Sequence, residues 1–406
     1  FTLYAMQRDS LLVCNAGSST LKVKIFKLSS LSLLVSGRVE RIGLPGCTLE
    51  LQELTSGRMI RRNFPGGLAQ HRQALEEIFS HCKHWGARLR AAAHRVVHGG
   101  RRFRQPTLLQ AETVAQLAAC SALAPLHNPV TLAVVAEVQG LFPGLPQVGV
   151  FDTAFFAHLP PEAATYALPY AYIERHGIRR FGFHGISHQY LAAAAAEKLG
   201  RPLERLRLIT AHLGSGCSVA AIQAGRPVDT TMGFSPLEGL TMGTRCGDVD
   251  AMVVTYLQKT LGISPGEVEN ILNRQSGLLG LFGYSGDMRD VLCAAGHKVI
   301  GYQPPNPFST RDRQRARLAL AVFIYHIVRY VGAYATVMGG LDALVFSGAI
   351  GERSATVRSL VRQRLKLLRP FTSLTIVTDE ELQIARLTQR LARRLPQPEF
   401  FPGRSH

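Results

Sequence analysis

The chain has 406 residues, 46% of them hydrophobic and 18% charged, which is enough apolar material for a large core and argues against extended disorder. Its length predicts two or more domains. The net charge of +18 raises nucleic-acid binding as an alternative, but only eight of the 46 basic residues are lysine and the arginines are spread along the chain. We therefore expect no nucleic-acid partner.

The sequence also argues against membrane insertion and secretion. No apolar run reaches the roughly 20 residues that span a bilayer. Segment 321–338 comes closest, but His326 and Arg329 interrupt it, which favours a buried helix. The first ten residues lack a basic region followed by an apolar core, and the seven cysteines are scattered without a CxxC pair. These features predict a cytoplasmic protein with reduced thiols and no membrane partner.

Two pairs of segments repeat along the chain. Residues 11–26 (LLVCNAGSSTLKVKIF) and 207–222 (RLITAHLGSGCSVAAI) each read as an apolar strand, a glycine-containing turn and a second strand, which is typical of a β-hairpin. Residues 147–154 and 343–351 each read as a short apolar strand that ends in small or acidic residues. Because this order recurs roughly 195 residues later, we infer an internal duplication of an α/β unit.

Helices are expected between these landmarks, at 110–121, 188–199 and 310–338. A last helix is expected at about 380–394, and we expect it to pack back on the first half of the chain. The first domain is placed at 10–153 together with 382–406, and the second at 154–381.

The first hairpin turn, Gly17 to Thr20, is a candidate phosphate-binding segment. No G-x-x-x-x-G-K-[ST] motif occurs, so phosphate would be bound without a Walker-type loop. The turn offers backbone N–H groups and three hydroxyls, and its small residues let phosphate oxygens approach the backbone. Lys22 follows as a counter-charge. The alternative is an ordinary hairpin turn without a ligand.

The segment HRVVHGG places Arg95 beside two glycines, and the guanidinium fork of arginine matches a carboxylate or a phosphate. His94 and His98, like His184 and His188, have the H-x-x-x-H spacing of zinc ligands. The neighbouring glycines argue against a helix that presents both histidines of a pair on one face, and no glutamate completes an HExxH motif. We therefore expect neither pair to bind a metal.

Three further segments carry polar groups in turn-rich surroundings. Asp152 ends an apolar strand, where a buried carboxylate needs a metal, a basic partner or a backbone cap. His184 follows Phe183 between glycines, in a half-apolar environment. Residues 229–250 form the longest turn-rich tract and carry Arg245, although an ordinary surface loop is the alternative. Two arginines, a histidine and an aspartate without a nucleophile motif fit phosphoryl transfer, in which positioning and charge neutralisation supply most of the catalysis.

Nine segments in order make the chain resemble the acetate kinases, with propionate kinases as close relatives. The resemblance extends from about Leu11 to Arg390. The segments are NAGSSTLK, HRVVHGG, LAPLHNP, VFDTAF, RRFGFHGISH, AHLGSGCS, DTTMGFSPLEGLTMGTRCGD, SGLLG with GDMRD, and SGAIGE. The resemblance implies an α/β fold of two duplicated actin-like (ribonuclease H-like) domains around a nucleotide cleft. It also implies ATP as co-substrate and a cytoplasmic homodimer.

The resemblance further implies a catalytic centre. Arg95 and Arg245 match the pair of arginines that grips the acyl substrate and the transferring phosphoryl group. His184 matches the histidine that hydrogen-bonds the phosphoryl group, and Asp152 matches the essential carboxylate near Arg95. Transfer brings two negative groups together, so the cations offset the repulsion and stabilise the transition state. The acceptor carboxylate is already ionised, and we expect Asp152 to orient Arg95 or to belong to the metal shell rather than to accept a proton.

The remaining matched residues belong to the metal ion, the nucleotide and the acyl chain. Asn15 and Glu380 match the residues that hold Mg²⁺, with Mn²⁺ as an alternative, directly or through water. The residues that match nucleotide contacts are Ser18, Thr20, Lys22, His212, Leu213, Gly214, Ser215, Gly216, Asp287, Met288, Arg289, Ala349, Ile350, Gly351, Glu352 and Arg353. The residues that match the apolar pocket around the substrate methyl group are Val97, Leu126, Phe183 and Pro236.

Four positions depart from the family pattern, and they bear on nucleotide affinity more than on the chemistry. Thr20 replaces the usual third serine and keeps a hydroxyl. Ser215 and Arg353 each replace an asparagine. Residues 348–349 read Gly-Ala instead of Ala-Gly, which puts a methyl group where the backbone is expected to pass close to the nucleotide.

The sequence therefore predicts an enzyme that transfers the γ-phosphoryl group of ATP to acetate, reversibly giving acetyl phosphate and ADP. Propionate is the alternative acceptor. Acetate is favoured because Val97 fills the methyl pocket, although one methylene changes discrimination by only about 1–3 kcal/mol. A non-catalytic ATP-binding module with the same fold is the alternative from another class, and the substrate-side pair of arginines argues against it.

Overall fold

The computed structural model describes residues 9–86, 88–124 and 127–394. The chain divides into two compact units. Unit 1 combines the residues up to Ala154 with those from Asp379 onward, and unit 2 is Phe155–Thr378. The domain boundaries expected from the sequence fall after 153 and after 381.

The described residues contain thirteen β-strands, numbered here in chain order. They are β1 (Ser10–Ala16), β2 (Thr20–Lys27), β3 (Leu33–Glu40), β4 (Cys47–Glu53), β5 (Met59–Phe64), β6 (Leu89–Val96), β7 (Thr107–Leu108), β8 (Gln147–Phe151), β9 (Arg207–Leu213), β10 (Cys217–Gln223), β11 (Arg226–Thr230), β12 (Ala343–Ser347) and β13 (Thr372–Thr375).

Unit 1 is built on an eight-stranded sheet in the order β5-β4-β3-β2-β1-β6-β8-β7. Strands β1 to β5 are antiparallel, whereas β1, β6 and β8 run parallel. The residues of β1 are all buried, as expected for a central strand covered on both faces, and β2 alternates between buried and half-buried positions.

Unit 2 is built on a five-stranded sheet in the order β11-β10-β9-β12-β13. Its first three strands are antiparallel, and β9, β12 and β13 are parallel. The same arrangement occurs in unit 1 as β3-β2-β1-β6-β8. The predicted fold class, two duplicated actin-like (ribonuclease H-like) α/β units, is thereby confirmed.

One part of the predicted duplication is wrong. The sequence pattern treats 147–154 and 343–351 as equivalent strands. In the structure β12 pairs directly with β9, which is the place that β6 holds beside β1, and the counterpart of β8 is β13. Strands β8, β12 and β13 contain only four or five residues, so the sequence pattern does not show which parallel strand lies next to the hairpin.

The described residues also contain fifteen α-helices. They are α1 (His71–His81), α2 (Lys83–Gly86), α3 (Ala111–Ala119), α4 (Asn128–Leu141), α5 (Pro161–Ala164), α6 (Tyr170–His176), α7 (Gly185–Leu199), α8 (Ala251–Lys259), α9 (Pro265–Asn270), α10 (Gly277–Phe282), α11 (Met288–Ala294), α12 (Thr310–Val337), α13 (Gly348–Arg353), α14 (Ala355–Arg364) and α15 (Glu380–Arg394). The three helices expected at 110–121, 188–199 and 310–338 are confirmed as α3, α7 and α12.

Helix α15 follows unit 2 in the sequence but packs on β1, β6 and β8 of unit 1. Its arginines are exposed, while Ile384, Ala385 and Ala392 are buried together with the polar Gln383 and Thr388. The first turn of the helix also carries a buried acidic residue, Glu381. Because the chain returns to unit 1 at Asp379, the acidic residues 379–381 belong to unit 1.

Helix α12 is the one helix in the described part of the chain that is long and apolar enough to cross a membrane. It packs against α10, α11, α14 and β10 of unit 2. Ser309 and Asp312 form a capping box at its beginning, and its first turns expose arginines to solvent. The packing agrees with the buried helix expected from the interruptions at His326 and Arg329.

His94 is a buried titratable group in unit 1. It lies on β6, its Nε2 is 2.7 Å from Gln147 Oε1, and its Nδ1 has no hydrogen-bond partner among the described residues. Burial lowers the pKa of His94 to about 4, and the bond to Gln147 offsets only part of this effect. Since the unfolded chain titrates near the ordinary value of about 6.5, it binds a proton over a pH range in which the folded state does not.

We therefore expect His94 to cost unit 1 about 2 kcal/mol of stability when the pH falls from 7.5 to 5. His94→Gln keeps a donor toward Gln147 but cannot titrate, so its free energy of unfolding should fall less over this range. The measurement is urea unfolding followed by the fluorescence of Trp85, the single tryptophan of the chain, which is buried in unit 1. His158→Gln, at an exposed histidine, is the control. Equal pH dependence in the parent and in His94→Gln would contradict the prediction.

Candidate active site

Arg95 and Asp152 form the centre of a charged cluster in unit 1. Arg95 lies near the end of β6, half-buried between the buried side chains on either side of it. Its guanidinium donates to Asp152 Oδ2 from Nη2 at 2.6 Å and from Nε at 3.1 Å. Nη1 donates to Asn15 Oδ1 at 3.2 Å. The structure therefore brings three of the predicted residues into direct contact.

Glu380 joins this cluster from α15. Its Oε2 lies 3.7 Å from Arg95 Nη1 and 3.4 Å from Asn15 Nδ2. The neighbouring Glu381, to which the sequence analysis assigned no role, accepts from Asn15 Nδ2 at 2.7 Å and lies 3.3 Å from Lys24 Nζ. Three consecutive acidic residues at the start of an amphipathic helix, in a basic chain, are the signal that could have found Glu381.

Burial and charge oppose each other within the cluster. Burial acts to lower the pKa of Arg95, but the carboxylates of Asp152 and Glu380 outweigh it and raise that pKa above its ordinary value. The pKa of Asp152 is raised because burial and the nearby Glu380 outweigh the stabilising effect of Arg95. Asp152 Oδ1 has no hydrogen-bond partner among the described residues. An unpartnered carboxylate oxygen of this kind indicates a site that a cation or a donor can complete.

The donors of this cluster fit the magnesium ion that the resemblance implies. Mg²⁺ in nucleotide sites is held by one or two carboxylates while waters and phosphate oxygens complete its shell. Asp152 Oδ1, Glu380 and the amide oxygen of Asn15 are oxygen donors of the required kind. No group of three His, Cys, Asp or Glu suited to a metal occurs in the described part of the chain. The donor set thus suits a metal that arrives with phosphate better than one caged by protein alone.

The hairpin turn between β1 and β2 keeps polar groups accessible. Gly17 N donates to Thr20 O at 2.8 Å, and Ser18 within the turn is exposed. A Cβ on Gly17 would lie 2.7 Å from Thr20 Oγ1, which accounts for the glycine. Lys22 Nζ lies 3.8 Å from Glu381 Oε1 with 44% of its side chain exposed. Lys22 therefore lies near Glu381 and is still accessible, and its part as a counter-charge to phosphate stays a prediction.

His184 occupies a strained backbone position in unit 2. It directly precedes α7 with φ 57° and ψ 23°, the left-handed region, which costs a residue other than glycine about 1–2 kcal/mol. Its Nδ1 lies 2.9 Å from Ser218 Oγ, and its ring stacks on His212 with the centroids 4.4 Å apart. Strain of this kind persists where surrounding contacts hold the residue, as they do at many functional sites.

His184 and His188 both contact Ser218, although α7 does not present both rings, because His184 precedes the helix in the left-handed conformation, as the neighbouring glycines led us to expect. Gly185 begins α7 instead of breaking it, and His188 Nε2 lies 2.7 Å from the same Ser218 Oγ that contacts His184. The two rings share a hydroxyl. Ser218 was missed by the sequence analysis, although a serine within the apolar run of β10 is a signal for a buried polar contact. In unit 1, His98 Nδ1 instead accepts from the backbone N–H of Gly100 at 2.9 Å.

Arg245 is a largely buried cation without a carboxylate partner in the part of the chain that the structure describes. Its Nη1 donates to Pro236 O at 3.0 Å and lies 3.7 Å from Met242 Sδ. Burial lowers the pKa of Arg245, and the nearby Cys217 offsets only part of this effect. Because arginine stays charged in proteins, a guanidinium held only by neutral groups is suited to receive an anion.

Gly216 lies against both His184 and Arg245. A Cβ on Gly216 would be 3.6 Å from His184 Nε2 and 3.6 Å from Arg245 Nη1. The turn between β9 and β10 closes through a bond from Gly214 N to Gly216 O at 3.0 Å and leaves Ser215 exposed. The imidazole Nε2 and the guanidinium therefore border one space beside this turn.

The segment 287–289 offers fewer free side chains than the sequence suggests. Met288 is buried in the core of unit 2. Asp287 caps α11 by accepting from Arg289 N at 2.8 Å, and the two side chains form an ion pair at 2.6 Å. The guanidinium of Arg289 lies over the ring of Tyr302, 4.4 Å from its centroid. The Arg289 side chain is nevertheless 58% exposed, and contact of this segment with the nucleotide stays a prediction.

The turn at the start of α13 has its glycine where the backbone requires one. Gly348 has φ 73°, and a Cβ there would lie 2.6 Å from Leu213 O. Ala349 is exposed, so its methyl group is accommodated without a clash. Glu352 Oε1 accepts from Gly348 N at 2.9 Å and braces the turn, whereas Arg353 is exposed. The neighbours Ile350 and Gly351 are half-buried and buried, respectively.

The residues predicted for the methyl pocket are divided between the units. Val97 follows Arg95 by two positions and is half-buried. In unit 2, Phe183 is buried and Pro236 is half-buried. Leu126 lies outside the described residues.

Comparison with known proteins gives a consistent result over nearly the whole chain. The family model described as the acetokinase family matches residues 10–390. The chain belongs to the acetokinase family. An acetate kinase of Deinococcus deserti is 43% identical, with 94% of this chain and 97% of that protein covered.

Solved structures of the acetokinase family have the same fold. A crystal structure of Porphyromonas gingivalis acetate kinase matches with a TM-score of 0.80 at 38% identity and covers 94% of this chain and 99% of that one. A propionate kinase from Francisella tularensis matches with a TM-score of 0.83 at 36% identity and the same coverage. The family and the fold are thus established together, and solved structures named for either acyl substrate match this chain at 38% and 36% identity.

Proposed function

We propose that this chain is an acetate kinase, which transfers the γ-phosphoryl group of ATP to acetate and gives acetyl phosphate and ADP, reversibly. Its family makes it a phosphotransferase with a carboxylate as acceptor. The observation that carries the proposal within the site is Arg245, a guanidinium held only by neutral groups beside His184 and a glycine turn. A module that only bound ATP would not require a second arginine, Arg95, oriented by a buried carboxylate.

The acceptor needs orientation rather than activation. Acetate is ionised at neutral pH, so no general base has to remove a proton before it attacks phosphorus. Arg95 would bind the acceptor carboxylate, and Asp152 holds the guanidinium by two hydrogen bonds to its Oδ2. Asp152 is therefore proposed as an orienting group. Its other oxygen, which has no partner among the described residues, is proposed for the metal shell together with Asn15 and Glu380.

The charge of the transferring group is proposed to be met by unit 2. As the bond to ADP breaks, negative charge spreads over the equatorial oxygens of the phosphoryl group, and donors placed beforehand stabilise it. Arg245 supplies a full positive charge and His184 one hydrogen bond. Mg²⁺, when bound with ATP, would neutralise part of the charge on the phosphates.

The test is chemical capture of the product. The purified chain is incubated with ATP, Mg²⁺ and hydroxylamine, together with acetate, propionate or butyrate in parallel, and the acyl hydroxamate is measured. We expect hydroxamate from acetate at the highest rate and a slower reaction with propionate. Propionate as the better substrate would favour the alternative, propionate kinase. If no acid gives hydroxamate, the chain is not an acyl kinase and the ATP-binding module becomes the better explanation.

A cytoplasmic homodimer is also proposed. Helix α8 has no buried residue, and its large apolar side chains Met252, Val253 and Tyr256 are exposed. An exposed apolar helix face is typical of a surface that a second copy covers. We expect light scattering to give twice the mass of one chain and Tyr256→Glu to give a monomer. Tyr172→Glu, at an equally exposed tyrosine on α6, is the control and should stay dimeric. A monomeric parent would contradict the proposal.

The backbone at Gly277 holds the loop that carries Arg245. Gly277 has φ 62°, and a Cβ there would collide with Met242 O and lie 2.6 Å from Arg245 O. We expect Gly277→Ala to lower kcat by about 10²-fold, since a shift of about 1 Å in a positioned group can have that effect. Gly262→Ala is the matched control, because Gly262 has φ 69° with no atom near its Cβ position. Equal rate losses in the two variants would show that backbone strain, and not the position of Arg245, is responsible.

A further inference from the structure

Four side chains of unit 2 form a continuous hydrogen-bonded row that ends at Nδ1 of His184. Thr210 Oγ1 lies 2.7 Å from His188 Nδ1, and His188 Nε2 lies 2.7 Å from Ser218 Oγ. Ser218 Oγ lies 2.9 Å from His184 Nδ1. Thr210, His188 and Ser218 are completely buried. The row therefore runs from strand β9 through helix α7 and strand β10 to the residue that borders Arg245.

The protons of this row can be counted. Ser218 has one proton, so it can donate to only one of its two imidazole neighbours and is satisfied when the other neighbour donates to it. Two directions follow. Either Thr210 donates to His188, His188 to Ser218 and Ser218 to His184, or each of these bonds is reversed.

Burial favours the first direction. If the bonds were reversed, the hydroxyl of Thr210 would accept from His188 Nδ1, and its own proton would point into the core. No other partner of Thr210 Oγ1 occurs among the described contacts. Buried polar hydrogens are almost always bonded in folded proteins, so the direction that uses the proton of Thr210 is preferred. His188 stays neutral in either direction, because burial, followed by the nearby His212, keeps its pKa well below the ordinary value.

We propose that Thr210, His188 and Ser218 are positioning residues that hold His184 as the neutral tautomer with its proton on Nε2. The first direction makes Nδ1 of His184 an acceptor, so that the single ring proton must be on Nε2. This nitrogen borders the same space as the guanidinium of Arg245, where a Cβ on Gly216 would lie 3.6 Å from each. The reversed direction would turn a lone pair of His184 toward an incoming phosphoryl oxygen and repel it. The benefit to catalysis rests on the proposed function, whereas the tautomer does not.

Nuclear magnetic resonance gives the direct test. The full-length chain is labelled with ¹⁵N-histidine, and long-range proton–nitrogen correlations identify the protonated nitrogen of each ring. His184→Gln assigns the His184 signals. We expect the pattern of an Nε2-protonated neutral ring in the parent at pH 7.5. In Ser218→Ala the donor to Nδ1 is lost, and we expect the signals to move toward a mixture of the two tautomers.

The kinetic consequence is expected in kcat rather than in KM. Loss of one oriented hydrogen bond should lower kcat about 10-fold in Ser218→Ala, with KM for acetate within about 2-fold of the parent. Thr210→Val preserves the shape of the buried side chain and removes only the hydroxyl that donates to His188. It is the variant to measure if Ser218→Ala does not fold. Its expected effect on kcat is smaller, about 3-fold, with a changed His188 tautomer. Thr388→Val is the control, because it removes a buried hydroxyl that has no hydrogen-bond partner among the described residues. It should change neither the His184 signals nor kcat.

The outcomes of these experiments distinguish the inference about the His184 tautomer from the proposed acetate kinase activity. A parent protein in which His184 carries its proton on Nδ1, or is doubly protonated, would overturn the inference even if the chain is an active acetate kinase. So would a Ser218→Ala variant with unchanged His184 signals and unchanged kcat. If the tautomer is as expected but no acid yields hydroxamate, the hydrogen-bonded row is supported while the proposed function fails.

Discussion

Arg245→Ala is expected to lower kcat by about 10²-fold or more and to leave the stability of unit 2 unchanged or slightly raised. Arg245 is proposed to supply positive charge where the transferring phosphoryl group gathers negative charge. In the free protein its guanidinium donates to Pro236 O and has no carboxylate partner among the described residues. Its removal therefore leaves no opposite charge buried and unpaired.

Hydroxamate formation measures the turnover of this variant, and thermal unfolding measures its stability. Arg245→Lys keeps the charge but loses the planar fork, so it should recover only part of kcat. Arg313→Ala, at an exposed arginine of α12, is the matched control and should keep the parental rate. Parental turnover in Arg245→Ala would remove Arg245 from the reaction, and an unfolded variant would make its role structural.

Arg95→Ala is expected to lose turnover to a similar extent but to lower the stability of unit 1 by about 3–5 kcal/mol. The side chains of Asp152, Glu380 and Glu381 are only 2%, 12% and 6% exposed. Asp152 would lose both hydrogen bonds that its Oδ2 accepts, and the carboxylates would then repel one another. Burial already raises the pKa of Asp152 in the presence of Arg95.

The fluorescence of Trp85 during urea unfolding follows this loss, because the only tryptophan of the chain lies in unit 1. Arg95→Ala combined with Asp152→Asn should regain part of the stability and none of the turnover. The double-mutant cycle gives their coupling energy, and purely additive effects would show that the pair does not interact. Arg38→Ala, which breaks an exposed ion pair with Glu40, should cost less than about 1 kcal/mol and is the control.

These two variants separate residues that look alike in the sequence. Arg95 and Arg245 both stand beside glycines, and the family resemblance implies one shared role for them. The structure gives Arg95 a buried carboxylate partner and gives Arg245 a peptide carbonyl. Local sequence shows which side chains are charged, but it does not show which charges are neutralised in the folded state. The stability consequences of the two substitutions could therefore not be predicted from the sequence.

His184 and His188 also show that local sequence does not reveal tertiary contacts. The spacing of His184 and His188 was visible in the sequence, and the glycines around them suggested that no helix would present both. The helix begins at Gly185 and does not include His184, as expected, but both rings contact Ser218, a residue 30 positions beyond His188. The residues around a serine in a β-strand do not show which side chains of other elements that serine contacts. The H-x-x-x-H spacing therefore does not show that the two rings share a serine from another element.

Sequence patterns predicted the hairpins, the principal helices, the existence of a duplication and the family, because these depend on local periodicity, turn residues and ordered motifs. The folded structure was needed to show that β12 lies next to β9 and which side chains the predicted return of α15 brings together. The return places Glu381 against Asn15 although 366 residues separate them. Contacts of this kind depend on the path of the whole chain and on burial. Hydrophobic periodicity indicates only the secondary structure of a few neighbouring residues. The order of the strands and the partners of the buried charges accordingly required the folded structure.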